Sequence, residues 1–549
     1  MGFVLRRSLP SITGLVALLV AVGALATPYL GAPLWFAPVF ALVLIGLQFA
    51  LNPFLIQWLV PAVVIAHDGS RYLTDHPVGE LVARRCRDAG VPLVKLGIVD
   101  DGMPNAFTFG HVPGDARMWI TRGLLERLDE RELDAVVTHE VGHVKHWDFA
   151  VMTVAAAVPM MLYLVYVMTR RMDKQGKAVA IGAYVAYVIS QFIVLALSRA
   201  REYAADHWSC QCTADGDALA SALVKIAYGM GQVHQEEKER AAHLLEQGKE
   251  GRKVLAREQQ SRGRVQALRA MGIFEPREAD AMAAALAGGI DADRALAAMR
   301  WDAANPWGAT LEKLSTHPLV ARRIAALERS GLPGAPRQWS VLRSLAQVSP
   351  GERMALRARW AKELFVAVAP WVVLVGMVGF GAATGSAMSV GLALVVAGVL
   401  LVVKQQLRYP MRFEPVEEIT SLLERLEASP VSGIGVEVRG RVMGRGMPGY
   451  VLSPDVVIQD GSGFVPLFYN QPIPFARAFF GLTRVQELLG RDVVARGWYH
   501  RSPQPVIELR ELVPEGARRA RVWAWAARYA ASALVLVAGL VVLAASVGR

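Results

Sequence analysis

Seven stretches of about 18 to 22 residues in this chain carry no charged side chain and are long enough to cross a hydrocarbon layer of roughly 30 Å. They run near Leu9 to Leu30, Leu34 to Leu51, Phe149 to Met168, Ala178 to Leu197, Leu364 to Thr384, Ser386 to Val403 and Tyr529 to Val547. Inside lipid a single segment satisfies its own backbone only as a helix, so this pattern predicts a mainly α-helical, multi-pass membrane protein. Apolar residues make up 53% of the 549, and the excess is concentrated in these runs.

The net charge of +11 is compatible with nucleic acid, but the Lys and Arg sit beside the spans. Arg6 and Arg7, Lys404 and Arg408, and Arg518, Arg519, Arg521 and Arg528 are placed to meet anionic headgroups. The bilayer is therefore the expected partner, and nucleic acid is not. Cys86, Cys210 and Cys212 make no disulfide framework and suit a reducing compartment. Arg6, Arg7 and Ala24-Leu25-Ala26 imitate a secretory signal, yet the apolar run is long for one and a second span follows within a few residues.

Counting Lys and Arg in short loops places the N-terminus inside, together with the segments after Leu51, Leu197 and Val403. One loop disagrees, because Arg170, Arg171, Lys174 and Lys177 fall outside in that scheme. Either the rule is broken once or the pair of runs from Phe149 to Leu197 does not fully cross. The expected organisation is a span pair with an interfacial segment, Pro53 to Ala66, over 1–66, and a first soluble half over 67–148. A membrane hairpin over 149–197 and a helical second half over 198–363 follow. A span pair over 364–403, a β domain over 404–516 and a last span over 517–549 complete it.

The first soluble half carries strand-like runs at Leu93 to Val99, Ala106 to Gly110 and Met118 to Thr121, then a helical run from Glu130 to His146. In the second half, Gln235 to Gln266 is charged at helical spacing and predicts a solvated helix. The β domain has five short runs, Val436 to Met443, Asp455 to Gln459, Gly463 to Tyr469, Asp492 to Trp498 and Val506 to Leu512, the length of a small OB-like barrel. Between Met411 and Glu515 there are 11 Lys and Arg against 13 Asp and Glu, so the basic footprint of a nucleic-acid binder is missing.

Thr138-His139-Glu140-Val141-Gly142-His143 carries the chemistry. Two histidines four apart on a helix share a face, so their imidazoles can bind one metal. Zinc accepts such nitrogens, and three protein ligands leave a fourth position for water. Glu140, rotated off that face, can take a proton from the water. The segment Arg199 to Asp206 offers Glu202 as third ligand, with Asp206 one turn later to bond a ligating histidine. His146 shares the helix face but lies a turn too far. His207, Cys210 and Cys212 could form another metal cluster, but buried or inert thiols after a membrane helix are the reading preferred for them. His143 and Glu202 both lie within roughly 10 Å of an apolar boundary, which makes the site juxtamembrane.

The chain resembles the HtpX-like zinc metalloproteases of the M48 group over roughly residues 9 to 330. The likeness rests on the leading spans, Pro104-Asn105-Ala106-Phe107, Thr121-Arg122-Gly123-Leu124-Leu125, the helix continuing to Asp148, the hairpin, the segment with Glu202 and Asp206, and Ser315-Thr316-His317-Pro318 with Arg323-Ile324. It implies a gluzincin-type core, one Zn2+ per chain and a polypeptide substrate, with Asn105, Ala106 and Phe107 on an edge strand that receives it. By the same likeness His317 and Arg323 lie in a loop near the metal, steadying an oxyanion or blocking the site at rest. The group's membrane quality control, in a cell membrane with the zinc facing the cytoplasm, is the implied role. The alternatives are a prenyl-protein endopeptidase of the same group and a non-proteolytic adaptor using the OB-like domain. Oligomeric state is left open.

Overall fold

In the computed structural model, residues 36–172, 174–227, 292–445, 453–502, 504–516 and 518–547 are described. The run Leu9 to Leu30, the signal-like N-terminus and the charged stretch Gln235 to Gln266 lie outside them. The described residues fall into two compact units, one on residues up to 227 with 310–342, the other on 292–309 with the chain from 343 onward.

The first unit opens with helix α1, Phe36–Leu59, which contains Pro53. The sequence reading ended this run at Leu51 and placed Pro53 to Ala66 at the interface. The helix continues through Pro53 to Leu59, because a proline forfeits one backbone bond while its neighbours keep theirs. The remainder of that segment enters a sheet of β1 Val63–Val64, β2 Lys95–Val99, β3 Ala106–Phe109 and β4 Arg117–Thr121, in the order β1-β2-β4-β3. β2 and β4 are parallel, and β3 runs antiparallel to β4 with Phe107 opposite Trp119. β3 is thus an edge strand. Its Phe107 and Phe109 pack with Trp119, Val99 and Val60, so alternation turns Ala106 and Thr108 to the other face.

Helix α2, Pro77–Ala89, comes before the sheet's parallel pair, and α3, Arg122–Arg127, follows β4 directly, capped by the Thr121 hydroxyl. At Gly123 an added Cβ would stand 2.0 Å from the carbonyl oxygen of Gly102. Backbone cannot yield as a side chain can, so Gly123→Ala is expected to cost at least about 1–3 kcal/mol. A clear drop in the unfolding midpoint of the purified protein checks this; an unchanged midpoint would mean that the turn relaxes.

Helices α4 Glu130–Lys145, α5 Asp148–Thr169 and α6 Lys174–Thr213 follow, with α7 Val320–Arg329 joining the unit later in the chain. α5 and α6 form an apolar hairpin, packed through Ala155, Val158, Leu162, Ala183, Ala186 and Leu197, and both are long and apolar enough to cross a bilayer.

The second unit has three more such helices, α8 Pro350–Thr384, α9 Ala387–Arg408 and α11 Ala524–Val547. α9 and α11 approach through small residues: a Cβ on Gly398 would meet the Leu536 backbone at 2.6 Å, and one on Gly539 the Val395 nitrogen at 2.5 Å. Without a hydrophobic drive between helices in lipid, such close backbone contact is what holds them together. α8, α9 and α11 together with α5 and α6 give the described residues five helices long and apolar enough to cross a bilayer, the pattern of a multi-pass membrane protein.

The β part of this unit comprises β5 Ile434–Arg445, β6 Val456–Gln459, β7 Phe464–Phe468, β8 Asp492–Ser502 and β9 Gln504–Pro514. Pairing runs β5-β6-β7-β9-β8 and returns to β5, with only β7 and β9 parallel. This is a closed five-stranded barrel with the strand order of an OB fold, and all five expected runs are strands in it. Helix α10, Pro474–Thr483, sits between β7 and β8 and presses Phe480 onto Tyr469 at a centroid distance of 3.7 Å. Glu508 of β9 is buried and accepts from Arg408 at the end of α9, from Arg528 near the start of α11, and from the Tyr409 hydroxyl. Burial alone would raise the Glu508 carboxyl, but the two guanidiniums hold it below the usual carboxylate range. One carboxylate thereby ties the barrel to the ends of two spans.

Candidate active site

α4 starts at a capping box: the Asp129 side chain accepts from the Glu132 amide while the Glu132 carboxylate accepts from the Asp129 amide. From Leu133 onward most of the helix is buried, including His139, Glu140 and His143. Gly142 lets it lie against α6, since a Cβ there would meet Trp208 at 3.0 Å and Ala205 at 3.4 Å. α4 ends at His146, and Trp147 takes a left-handed conformation with φ of 60° before Asp148 begins α5. That conformation costs a residue with a Cβ about 1–2 kcal/mol, and it turns Asp148 back toward α4.

The result is a convergence from two helices. His139 Nε2 and His143 Nε2 lie 3.2 Å apart. Glu202 of α6 brings one carboxylate oxygen to 3.5 Å from His139 Nε2 and the other to 3.6 Å from His143 Nε2. Donors about 2.0–2.1 Å from a tetrahedral centre stand roughly 3.3–3.4 Å from one another, so this trio has the spacing of a zinc ligand set. Behind it, Asp206 Oδ1 is 3.0 Å from His139 Nδ1, and Asp148 Oδ2 is 2.6 Å from His143 Nδ1. Carboxylates at both Nδ1 atoms draw the ring protons there, leaving two Nε2 lone pairs facing each other and Glu202. Glu202 Oε2 is buried without a hydrogen-bond partner among the described residues. Electron-pair donors arranged this way fit a cation.

Charge agrees. Four carboxylates, those of Glu140, Asp148, Glu202 and Asp206, face two guanidiniums, those of Arg201 and Arg323, a formal excess of two negative charges when the imidazoles are neutral. Burial disfavours a charged His139, yet Asp206 and Glu202 overrule it and lift the ring to about 9, a measure of how strongly the pocket attracts positive charge. Arg323, fully buried on α7, donates to both oxygens of Asp206 at 2.8 and 2.6 Å and comes within 3.7 Å of Glu202. Its guanidinium faces these carboxylates. His317 Nδ1 stands 3.5 Å from Glu202 Oε2.

Glu140 offers a carboxylate oxygen within 4.8 Å of the histidine nitrogens. The Thr108 hydroxyl of β3 donates to Glu140 Oε2 at 3.0 Å, so the edge strand touches the site. Asn105 precedes that strand, its amide bonded to the Thr121 hydroxyl, which in turn donates to its carbonyl. The Phe107 ring belongs to the core on the other face of β3. The sequence reading missed two of these contacts. Asp148 depends on the reversal at Trp147, which no spacing reveals. Thr108 could have been found, because it alternates with Phe107 and Phe109 on a strand already placed beside the motif. His146 lies outside the trio, its ring pushed down to about 4 by burial. Cys86, Cys210 and Cys212 are unpaired thiols.

Residues 73–248 match peptidase family M48. A relative named protease HtpX homolog, from Methanothermobacter thermautotrophicus, is 38% identical over 222 residues, which are 40% of this chain and 82% of that one. Protease HtpX homolog 2 of Methanosarcina acetivorans is 32% identical over 219 residues, 38% of this chain and 73% of the relative. Among solved structures, S. mikatae Ste24p overlaps 39% of this chain and 54% of its own at 17% identity, with a TM-score of 0.29.

Proposed function

The chain belongs to peptidase family M48 as an HtpX-like membrane protease, and on that premise we propose that it is a zinc endopeptidase cutting membrane or misfolded polypeptides beside the bilayer. The observation that carries this reading is the trio of His139 Nε2, His143 Nε2 and the Glu202 carboxylate at mutual separations of 3.2, 3.5 and 3.6 Å. These three residues would hold one zinc ion per chain. Such an ion supplies Lewis-acid polarisation of a carbonyl and a water of lowered pKa.

The protein's own groups do the rest. Glu140 is the general base: its carboxylate takes the proton of the attacking water and passes it to the leaving amine. The Thr108 hydroxyl holds that carboxylate in one orientation. Asp206 and Asp148 orient the two imidazoles, and Arg323 and Arg201 in turn hold these acids. His317, whose Nδ1 stands 3.5 Å from Glu202 Oε2, would steady the oxyanion of the substrate carbonyl. An extended peptide would pair with the free edge of β3 through the main chain of Ala106 and Thr108, since the main chain of Asn105 is bonded to Thr121 and that of Phe107 faces Trp119; Asn105 and Phe107 would shape that strand from its inner side.

His143 lies six residues before Phe149, and Glu202 five after Leu197, so the site reaches segments leaving the bilayer. This favours unfolded stretches of membrane proteins as substrates, in a cell membrane with the site on the cytoplasmic side. The test uses the full chain in lipid nanodiscs, stripped by a chelator and reloaded with zinc, against a membrane protein with an unfolded soluble segment. Cleavage of that segment only after reloading supports the reading; cleavage indifferent to chelator would sink it.

Asp148→Ala is expected to weaken metal binding about 10–100-fold by removing the partner of His143 Nδ1 and freeing that ring. Competition with a chelator reads the change. Unaltered affinity would show that the ring keeps its orientation without the acid.

A further inference from the structure

α10 is amphipathic in an unusual place. Phe480 and Gly481 are buried against the barrel, while Phe475, Phe479 and Leu482 form an i, i+4, i+7 stripe that is 76%, 55% and 51% exposed. Ile473, just before the helix, is 64% exposed, and the rings of Phe475 and Phe479 stack at 6.3 Å. Four large apolar side chains side by side on an otherwise closed barrel need a covering.

The same unit says what covers them. The approach to α10 is bonded to the approach to the last span: Gln471 Nε2 donates to the Arg521 carbonyl at 2.8 Å, and Gln471 Oε1 accepts from the Trp523 amide at 3.3 Å. α11 begins at Ala524, the next residue. Phe468, six residues before α10, pairs with Glu508, whose carboxylate gathers Arg408 and Arg528 at the ends of α9 and α11. The stripe therefore starts at the barrel end where two spans enter lipid. Basic side chains surround it. Arg518, Arg519 and Arg521 are exposed, Arg518 and Arg521 make no ion pair among the described residues, and Arg484 donates to the Arg518 carbonyl at 3.1 Å. Trp523, 53% exposed, adds an aromatic of the kind enriched at the membrane interface.

We infer that α10 is an interfacial helix, with Ile473, Phe475, Phe479 and Leu482 set into the headgroup–acyl boundary of the leaflet that α11 enters and the arginines on its anionic lipids. An apolar face with basic flanks binds such a surface through buried area and charge together. Two spans and this helix then hold the barrel by three points, which fixes its tilt against the membrane.

The test is spin-label accessibility in the full chain, in nanodiscs of mixed phosphatidylcholine and phosphatidylglycerol. Single cysteines are placed at 479, 482 and, as an aqueous reference on the barrel, at exposed 492, in a Cys212→Ser background. Cys86 and Cys210 are buried. Labels at 479 and 482 are expected to collide more with oxygen than with an aqueous nickel chelate, and the label at 492 the reverse. In a Phe475→Ser variant, whose spans are untouched, the label at 482 should shift toward the aqueous pattern. Labels at 479 and 482 as wet as that at 492 would overturn the inference. So would protection that arises only when an unfolded polypeptide is added, which would make the stripe a protein-binding face.

Discussion

Glu140→Gln is expected to leave the zinc content of the protein unchanged while lowering peptide-bond cleavage at least about a hundredfold. The reasoning separates two jobs that neighbouring residues perform. The electron pairs that converge within 3.2 to 3.6 Å of one another come from His139, His143 and Glu202; Glu140 stands one residue along the same helix and is held by the Thr108 hydroxyl at 3.0 Å. An amide of the same shape keeps that hydrogen bond by presenting its carbonyl oxygen, so the fold and the donor set are undisturbed. It cannot accept a proton. A hundredfold loss corresponds to about 2.7 kcal/mol of transition-state stabilisation. The loss should fall on kcat, because binding of the peptide along β3 does not involve the carboxylate. Metal analysis beside single-turnover cleavage checks both halves, and a pure variant that still cuts at the wild-type rate would remove Glu140 from the mechanism.

What the sequence disclosed and what it hid divide along physical lines. The pair His139 and His143 was legible because a helix puts residues four apart on one face whatever surrounds it. The barrel was legible because its strands are β-rich runs punctuated by Gly, Pro and Asp-Gly, where the chain must turn. Asp206, one turn beyond Glu202, was expected to bond a ligating histidine, and its Oδ1 stands 3.0 Å from His139 Nδ1. Asp148 was not, since its approach to His143 rests on the φ of 60° at Trp147, a backbone choice that tertiary packing imposes on a residue with no intrinsic taste for it. Arg323 was expected near the metal, but its bidentate grip on Asp206 joins residues 117 apart in the chain, and such a partner is visible only in three dimensions.

Glu202→Ala is expected to lower zinc affinity by at least about a hundredfold, beyond the loss from removing an outer carboxylate, and to abolish cleavage with it. The two imidazoles would remain 3.2 Å apart with Asp206 and Asp148 behind them, yet the site would lose its one ligand that is both anionic and aimed between the two Nε2 atoms. Two neutral nitrogens do not make a closed zinc site. Arg323 would keep its bonds to Asp206, so the helix pairing of α6 and α7 should survive; an unchanged unfolding midpoint would separate loss of metal from loss of fold. Glu202→Gln sharpens the contrast, because it preserves volume and removes only the charge and one acceptor; it should also bind zinc poorly, whereas Glu140→Gln should bind it well. If instead Glu202→Ala held zinc at full stoichiometry and Glu140→Gln lost it, Glu140, whose carboxylate also lies within 4.8 Å of the histidine nitrogens, would be the third ligand, and the division of labour proposed for the two glutamates would have to be reversed.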